Sequence, residues 1–430
     1  MKETNPTHGS YATGDLGEIK KKVLNWLPQF STFCFLDNHQ YQLPGHSEEC
    51  LVAAGVKRTV SYAPGIFDEL NLFIREKKSW LFGHLGYDLK NEIEQLASSH
   101  PDGVRFSTLF FFEPEIVVKI SADTISIEAD DPDAVFAAIQ QTAIEKETAP
   151  ATTISIQSRL SKDKYVEVIK KLQQHILRGD CYEINYCQEF FAEQTVINPV
   201  DVFQQLSAAS PNPFAALYRL HDQWLLCASP ERFLQKKGSR ILSQPIKGTA
   251  ARNLQSEQQD NATKEELLHS EKDRSENVMV VDLVRNDLAK ICEEGTVKVD
   301  ELFGIYSFPQ VHQMISTISG ELKTDASFAD IIKATFPMGS MTGAPKKRVM
   351  ELIEQYEKTK RGIFSGAVGY ISPDGDFDFN VVIRSIMYNA ATGYISFQAG
   401  SAITFYSDPE KEWQECLLKA AVLKKVLNGK

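Results

Sequence analysis

The chain has 430 residues, 46 of them basic and 57 acidic, for a net charge of −11 and a pI near 5.4. A hydrophobic share of 43% and a charged share of 24% fit a globular protein with a sizeable core. The acidic balance argues against nucleic acid as a partner, so an anionic small-molecule substrate would need local cations or a metal.

Residues 1–16 are polar and read as a loose arm with no apolar leader. No run of about 18 apolar residues follows, so a cytoplasmic protein without a membrane span is expected. Residues 32–36 and 80–87 are apolar, aromatic-rich strand candidates, and residues 115–120 with 124–128 read as a hairpin. The polar stretch 145–157 is the expected surface linker between an N-terminal part, 17–144, and a second region, 158–430. Ser161 can cap a helix reaching Arg178, with Tyr165, Ile169, Leu172 and Ile176 near helical spacing; a strand follows over residues 182–191.

Next comes the segment Pro245-Ile246-Lys247-Gly248-Thr249, in which a lysine stands between a stiff Pro-Ile pair and a flexible Gly-Thr turn. Upstream, Ser229-Pro230-Glu231-Arg232-Phe233 and the polar turn at 236–239 predict two strands folded together, so that Glu231 could face Lys247. A desolvated lysine beside a proton-shuttling carboxylate is a candidate nucleophile; charge pattern alone fits a surface ion pair as well.

A long helix is predicted from Thr263, carrying Asp273 and Glu276 at i,i+3. The last helix, capped by Asp408 with Pro409 at its first position, repeats that spacing with Glu412 and Glu415. Each pair shares a helix face, and two such helices could offer four carboxylates to one cleft, a donor set that suits Mg²⁺. A solvated helix face is the plainer reading of the same charges. Between these helices lie residues 339–345, a glycine turn entering a helix, where free N–H groups could receive an anion. Arg384, in the strand-like stretch 379–386, and the turn around Gly400 are further anion-binding candidates. Seven cysteines without a CxxC pair support neither a disulfide framework nor a zinc site.

The ordered set Ser229–Phe233, Pro245–Thr249, Val281-Asp282-Leu283-Val284-Arg285-Asn286-Asp287, Gly339-Ser340-Met341-Thr342-Gly343-Ala344-Pro345-Lys346, Phe364-Ser365-Gly366-Ala367-Val368-Gly369-Tyr370 and Glu412-Trp413-Gln414-Glu415 resembles the chorismate-utilising enzymes. The resemblance runs from about Ser161 to the C-terminus, and is strongest to those members that aminate chorismate at C4 in para-aminobenzoate and folate biosynthesis. It implies an α+β fold of four layers, α/β/β/α, with two orthogonally packed, largely antiparallel sheets, and the two regions of the chain intertwined in it. Periodicity by itself singles out no such architecture, because strands and helices alternate without a regular βαβ unit.

The resemblance further implies that Glu276 and Glu415 bind Mg²⁺ while Asp273 and Glu412 support it. Lys247 would form a covalent intermediate and Glu231 would manage protons. Arg384, Tyr370 and Gly400 would hold the enolpyruvyl carboxylate, with Thr342, Gly343 and Lys419 in the same anionic cleft. The family's catalytic histidine falls at Gln313, with His312 beside it. Adjacent strand residues point to opposite faces, so only one of the two can serve unless the backbone bulges, and His312 is the candidate. Members that make anthranilate have alanine at the position of Lys247. Members that add water have lysine where this chain has Glu183, and amine-adding ones commonly have glutamine. A non-catalytic aromatic-binding relative is the remaining alternative. With no Gly-x-Cys-x-Gly elbow in the sequence, ammonia would come from a separate glutamine amidotransferase subunit.

Overall fold

A computed structural model describes residues 7–41, 49–144 and 154–428. Residues 1–6 of the expected arm and 145–153 of the expected linker lie outside the described residues.

Two large sheets dominate, and every strand pairing among the described residues is antiparallel. The first sheet, of 12 strands, runs from Thr7–Ala12 through Thr124–Ala129, Ile116–Ile120, Cys50–Ala54, Thr32–Asp37, Phe214–Leu220, Gln223–Ser229, Ser385–Asn389 and Tyr394–Ile403 to Glu183–Ala192 and Gly343–Ala344, with Gln157–Ser158 beside Glu183–Ala192. The second, of 10 strands, runs from Ile246–Ala251 through Val311–Glu321, Arg240–Gln244, Arg232–Lys237, Phe377–Asn380, Ala367–Ile371, Leu81–Leu85 and Leu109–Glu113 to Arg58–Ser61, with Lys298–Ser307 beside Val311–Glu321. Each sheet joins a block of N-terminal strands at one end to strands from the rest of the chain.

Alternation along the strands builds two cores. On one face of the first sheet, Phe33, Phe35, Tyr186, Phe190, Leu217 and Phe397 pack against the helices Lys162–Leu177, Pro199–Ala209 and Pro409–Asn428. Its other face contributes Cys34, Ala53, Cys187, Tyr218 and Leu225 to a second core shared with Phe82, Phe112 and Phe233 of the other sheet. That sheet is covered in turn by the helices Ile66–Glu76, Glu271–Ala289 and Phe328–Thr335. The result is helix, sheet, sheet, helix, the four layers expected. No described helix is long and apolar enough to cross a membrane.

Local structure departs from the sequence reading at three places. Thr7–Ala12, expected in a loose arm, is an edge strand paired residue for residue with Thr124–Ala129, with Tyr11 stacked on Phe136 at 4.1 Å. Its polar outward face hides it from a periodicity reading, as edge strands commonly do. The long helix expected from Thr263 is two helices, Glu257–His269 and Glu271–Ala289. Ser270 leaves the helical region (φ −64°, ψ 111°), and its hydroxyl accepts from Asp273 N–H, which caps the second helix. Residues 379–386 are not one strand. The chain leaves the second sheet after Asn380 and enters the first at Ser385, with Arg384 at φ +50° in the crossing.

Candidate active site

The crossing at residues 381–384 lies beside another. Ser229 ends a strand of the first sheet, Arg232 begins one of the second, and Glu231 lies between them. The two crossings are tied by Ala228 N–H donating to Arg384 C=O (3.3 Å) and Val381 N–H donating to Glu231 C=O (3.0 Å). Backbone pairing thus brings together Glu231 and Arg384, although the chain separates them widely. Glu231 is 4% exposed, and burial pushes its carboxyl up to about 7, with Lys247 and Arg384 offsetting part of the rise.

Lys247 follows on the strand Ile246–Ala251. The register to Val311–Glu321 slips between Ile246 and Thr249, so Lys247 and Gly248 (φ +90°) form a bulge, a device that re-aims a side chain. The lysine is buried, and its Nζ donates to Glu183 Oε1 at 2.7 Å. Glu183 is buried at the start of Glu183–Ala192, on the face opposite Ile184 and Tyr186. Burial favours the free amine of Lys247, but Glu183, Glu276 and Glu231 outweigh it and hold the ammonium above its ordinary range. Sequence reasoning placed Glu231 opposite this lysine; the direct partner is Glu183, which is 64 residues away and carries no local signal.

Three close backbone approaches shape the surroundings. Gly343, at φ +141°, pairs through Gly343–Ala344 with Ile184, and a Cβ there would lie 2.1 Å from Glu183 C=O. Gly400, expected in a turn, lies within the strand Tyr394–Ile403 because it pairs with Cys187, and a Cβ there would lie 1.9 Å from Tyr186 C=O. Thr342 C=O accepts from Asn185 N–H (2.7 Å), while the Thr342 hydroxyl turns back to Met338 C=O (3.0 Å). The 339–345 turn is therefore an edge closure for Glu183–Ala192 and leads through Pro345 into the helix Lys346–Tyr356.

The carboxylates of both helix pairs act on one lysine. Lys272 lies in the field of Glu276, Glu415, Glu412 and Asp273, which holds its ammonium above the ordinary range against the effect of burial, and Glu415 also lies in the field of Lys247. The four are not equivalent. Glu276 Oε1 is buried without a hydrogen-bond partner, with only a long ion pair to Lys272 at 3.9 Å, and burial pushes this acid up to about 7, partly offset by Lys247. Glu415 pairs with Lys419 (2.8 Å), whose Nζ also donates to Gly400 C=O (3.0 Å). Asp273 accepts from Ser270 Oγ (2.5 Å), and Glu412 accepts from the Ser401 hydroxyl. Among the described residues no three of His, Cys, Asp and Glu form a ready-made cation cage. A buried carboxylate oxygen with no hydrogen-bond donor, in the charge environment that Glu415 shares, fits a hard cation that keeps waters and shares its shell with substrate oxygens, as Mg²⁺ does.

Two expected site residues are placed elsewhere. His312 points to the helix-covered face of its strand, where Nε2 lies 3.0 Å from Asp260 Oδ1 and Nδ1 lies 2.9 Å from Ser307 Oγ. Ser316, on the same face, donates to Asn277 of Glu271–Ala289. His312 is thus a buried structural histidine rather than a member of the Lys247 cluster, and strand alternation turns its neighbour Gln313 to the other face. Gln313 is fully buried, and neither of its amide atoms has a hydrogen-bond partner. Tyr370 was expected beside Arg384. It lies instead against Trp80 and Phe82, lining a cavity of about 50 Å³ between the sheets with Leu36, Asp37 and Phe214. The reason is register: Tyr370 pairs with Phe82 and Asp378, well inside the second sheet, whereas Arg384 has already crossed out of it.

Residues 38–425 match the family of chorismate binding enzymes. The chain belongs to that family. Its similarity to aminodeoxychorismate synthase component 1 of Klebsiella aerogenes is 36% identity over 341 residues, covering 77% of this chain and 74% of the relative. An anthranilate synthase component I-like protein of Synechocystis is 34% identical over 358 residues, covering 81% and 73%. Among solved structures, anthranilate synthase component I of Streptococcus pneumoniae superposes with a TM-score of 0.77 at 24% identity, covering 90% of this chain and 94% of that one. The menaquinone-specific isochorismate synthase of Escherichia coli gives 0.76 at 18% identity over 99% and 96%. This chorismate-binding enzyme thus shares its four-layer fold with synthases whose names specify different products.

Proposed function

We propose that this chorismate-binding enzyme aminates chorismate at C4 with ammonia, giving 4-amino-4-deoxychorismate through a covalent bond to Lys247. The observation that carries the reading is a buried lysine on a bulged strand, ringed by the three carboxylates of Glu183, Glu231 and Glu276. The similarity to aminodeoxychorismate synthase component 1 of several bacteria supports the same choice.

The C4 hydroxyl of chorismate leaves poorly, and two substitutions replace one difficult step. The Lys247 amine adds at C2, the two conjugated ring double bonds each shift by one position toward C4, and the hydroxyl departs from C4. Ammonia then adds at C4, both double bonds shift back, and the lysine is expelled. Glu231, whose buried carboxyl stays protonated to about neutral pH, is suited to hand its proton to the leaving hydroxyl. Arg384 next to it would hold a substrate carboxylate, with Gly400, in the strand Tyr394–Ile403, supplying a backbone contact. Glu276 and Glu415 would hold Mg²⁺, with Asp273 and Glu412 fixing the helix ends behind them; the ion, when bound, would neutralise the ring carboxylate. Ammonia would be supplied by a separate glutamine amidotransferase subunit.

The deciding experiment incubates the purified chain with chorismate, Mg²⁺ and ammonium and reads the product by mass. The expected product keeps the enolpyruvyl group. Anthranilate, which has lost pyruvate, or unconsumed chorismate would overturn the reading.

A further inference from the structure

The lysine that is to act as a nucleophile is held as an ammonium, and an ammonium has no lone pair. Its proton must go to a specific acceptor before the C2 bond can form, and must be recovered when the lysine is expelled. Among the described residues, Glu183 Oε1 is the single hydrogen-bond acceptor of Lys247 Nζ, at 2.7 Å. Glu231 and Glu276 act on the lysine through their fields without a bond to it. Glu183 is itself 2% exposed and makes no other ion pair among the described residues. Its position is fixed by main-chain pairing on both edges of its strand, to Ala344 on one side and, one residue on, from Ile184 to Ile403 on the other.

We propose that Glu183 is a catalytic base dedicated to Lys247: it takes the lysine's proton before attack, keeps it through the covalent stage, and returns it when the lysine leaves. The inference rests on the lysine-intermediate reading given above. The balance closes without any outside acid or base. Lys247 NH₃⁺ and Glu183 carboxylate become amine and carboxylic acid. The amine forms the N–C2 bond, the C4–O bond breaks, and Glu231 gives its proton so that water leaves. The lysine nitrogen is now a secondary ammonium and Glu231 an anion. Ammonia forms the N–C4 bond, the C2–N bond breaks, and neutral Lys247 recovers its proton from Glu183. The new C4 ammonium gives its proton to Glu231, and the starting state is restored. Transfer within a pair 2.7 Å apart leaves the site's net charge unchanged, so no new ion has to be desolvated at the moment of attack. A glutamine at this position could orient the lysine but could not hold its proton.

The test is formation of the covalent adduct in the full-length chain with chorismate and Mg²⁺ and no ammonia, followed in a single turnover across pH. Glu183→Gln, which keeps an acceptor oxygen, is expected to slow adduct formation about 10²-fold or more near neutral pH, with the rate recovering as alkali frees the amine directly. Glu183→Asp, still an acid, is expected to restore much of the rate. An unchanged or faster Glu183→Gln rate would overturn the proposal, because it would show a carboxylate that only holds the lysine charged. Equal losses in both variants at every pH would also overturn it, leaving a purely positional role. A measurement on the unmodified protein stands apart from folding of the variants. With indicator dye in weak buffer, adduct formation should release no proton to solvent once the release on ligand binding, measured with Lys247→Ala, is subtracted. One proton per adduct would sink the idea. If the unmodified chain forms no adduct while still aminating chorismate, it is the lysine-intermediate reading that fails instead.

Discussion

Lys247 and Glu231 are both buried ionisable groups, yet their surroundings drive them in opposite directions. The lysine is surrounded by carboxylates and stays charged; the glutamate is desolvated and stays neutral to about pH 7. Lys247→Ala should therefore abolish the adduct seen without ammonia and slow amination by more than the roughly 10²-fold typical of losing one proton-transfer group, since a whole covalent route is removed. Wild-type turnover in that variant would reduce Lys247 to an electrostatic contact. For Glu231 the sign follows from linkage. A carboxyl raised from its ordinary 4.5 to about 7 favours the fold fully only below the lower value, and that contribution is lost as pH rises through the higher one. Glu231→Gln should thus match the parent near pH 5 and be more stable above pH 7 by on the order of 1–3 kcal/mol, as read by chemical denaturation at the two pH values. A stability difference of the same size at both would contradict the buried-acid assignment.

Helix and strand geometry carries the next set of expectations. The i,i+3 carboxylate pairs lie on the helices Glu271–Ala289 and Pro409–Asn428, because helical spacing is local, and all four act on Lys272. Their individual roles are set by what each oxygen touches. Glu276 retains a buried oxygen with no hydrogen-bond donor, whereas Glu412 and Asp273 are each committed to a serine hydroxyl. Glu415→Gln should fold normally and lose most turnover, with the Mg²⁺ needed for half-activation rising about tenfold or more; full activity in chelated buffer would refute the metal assignment. The strand crossings and close approaches were not legible in the same way. Gly343 looks like any loop glycine, and its φ of +141° and the 2.1 Å clearance to Glu183 C=O exist only once Gly343–Ala344 pairs with the neighbouring strand. Gly343→Ala should destabilise the protein by about 3 kcal/mol or more and displace Glu183, so thermal unfolding and adduct formation should fall together.

Over the whole molecule, the two sheets exchange strands from distant parts of the chain, and the site lies where the chain passes from one sheet to the other. Partner dependence belongs at this level. The chain should aminate chorismate with ammonium but not with glutamine, and glutamine-driven product from the pure chain would contradict a separate amidotransferase subunit.

Short-range chemistry in the sequence was enough to mark the lysine between its proline and glycine neighbours, the two carboxylate-bearing helices and the cap at Asp408, because these depend on residues a few positions apart. The ordered motifs were enough for the family and its four layers. Tertiary structure decided which face of a strand a residue occupies and which distant residue it meets. His312 went to the helix side and bound Asp260, Tyr370 stayed within its sheet, and Glu183 rather than Glu231 became the bonded partner of Lys247. Each of these outcomes rests on strand register and on crossings between sheets. A slip or bulge of one residue reverses a side chain's face, and pairing partners lie tens to hundreds of residues apart, beyond the reach of any local pattern.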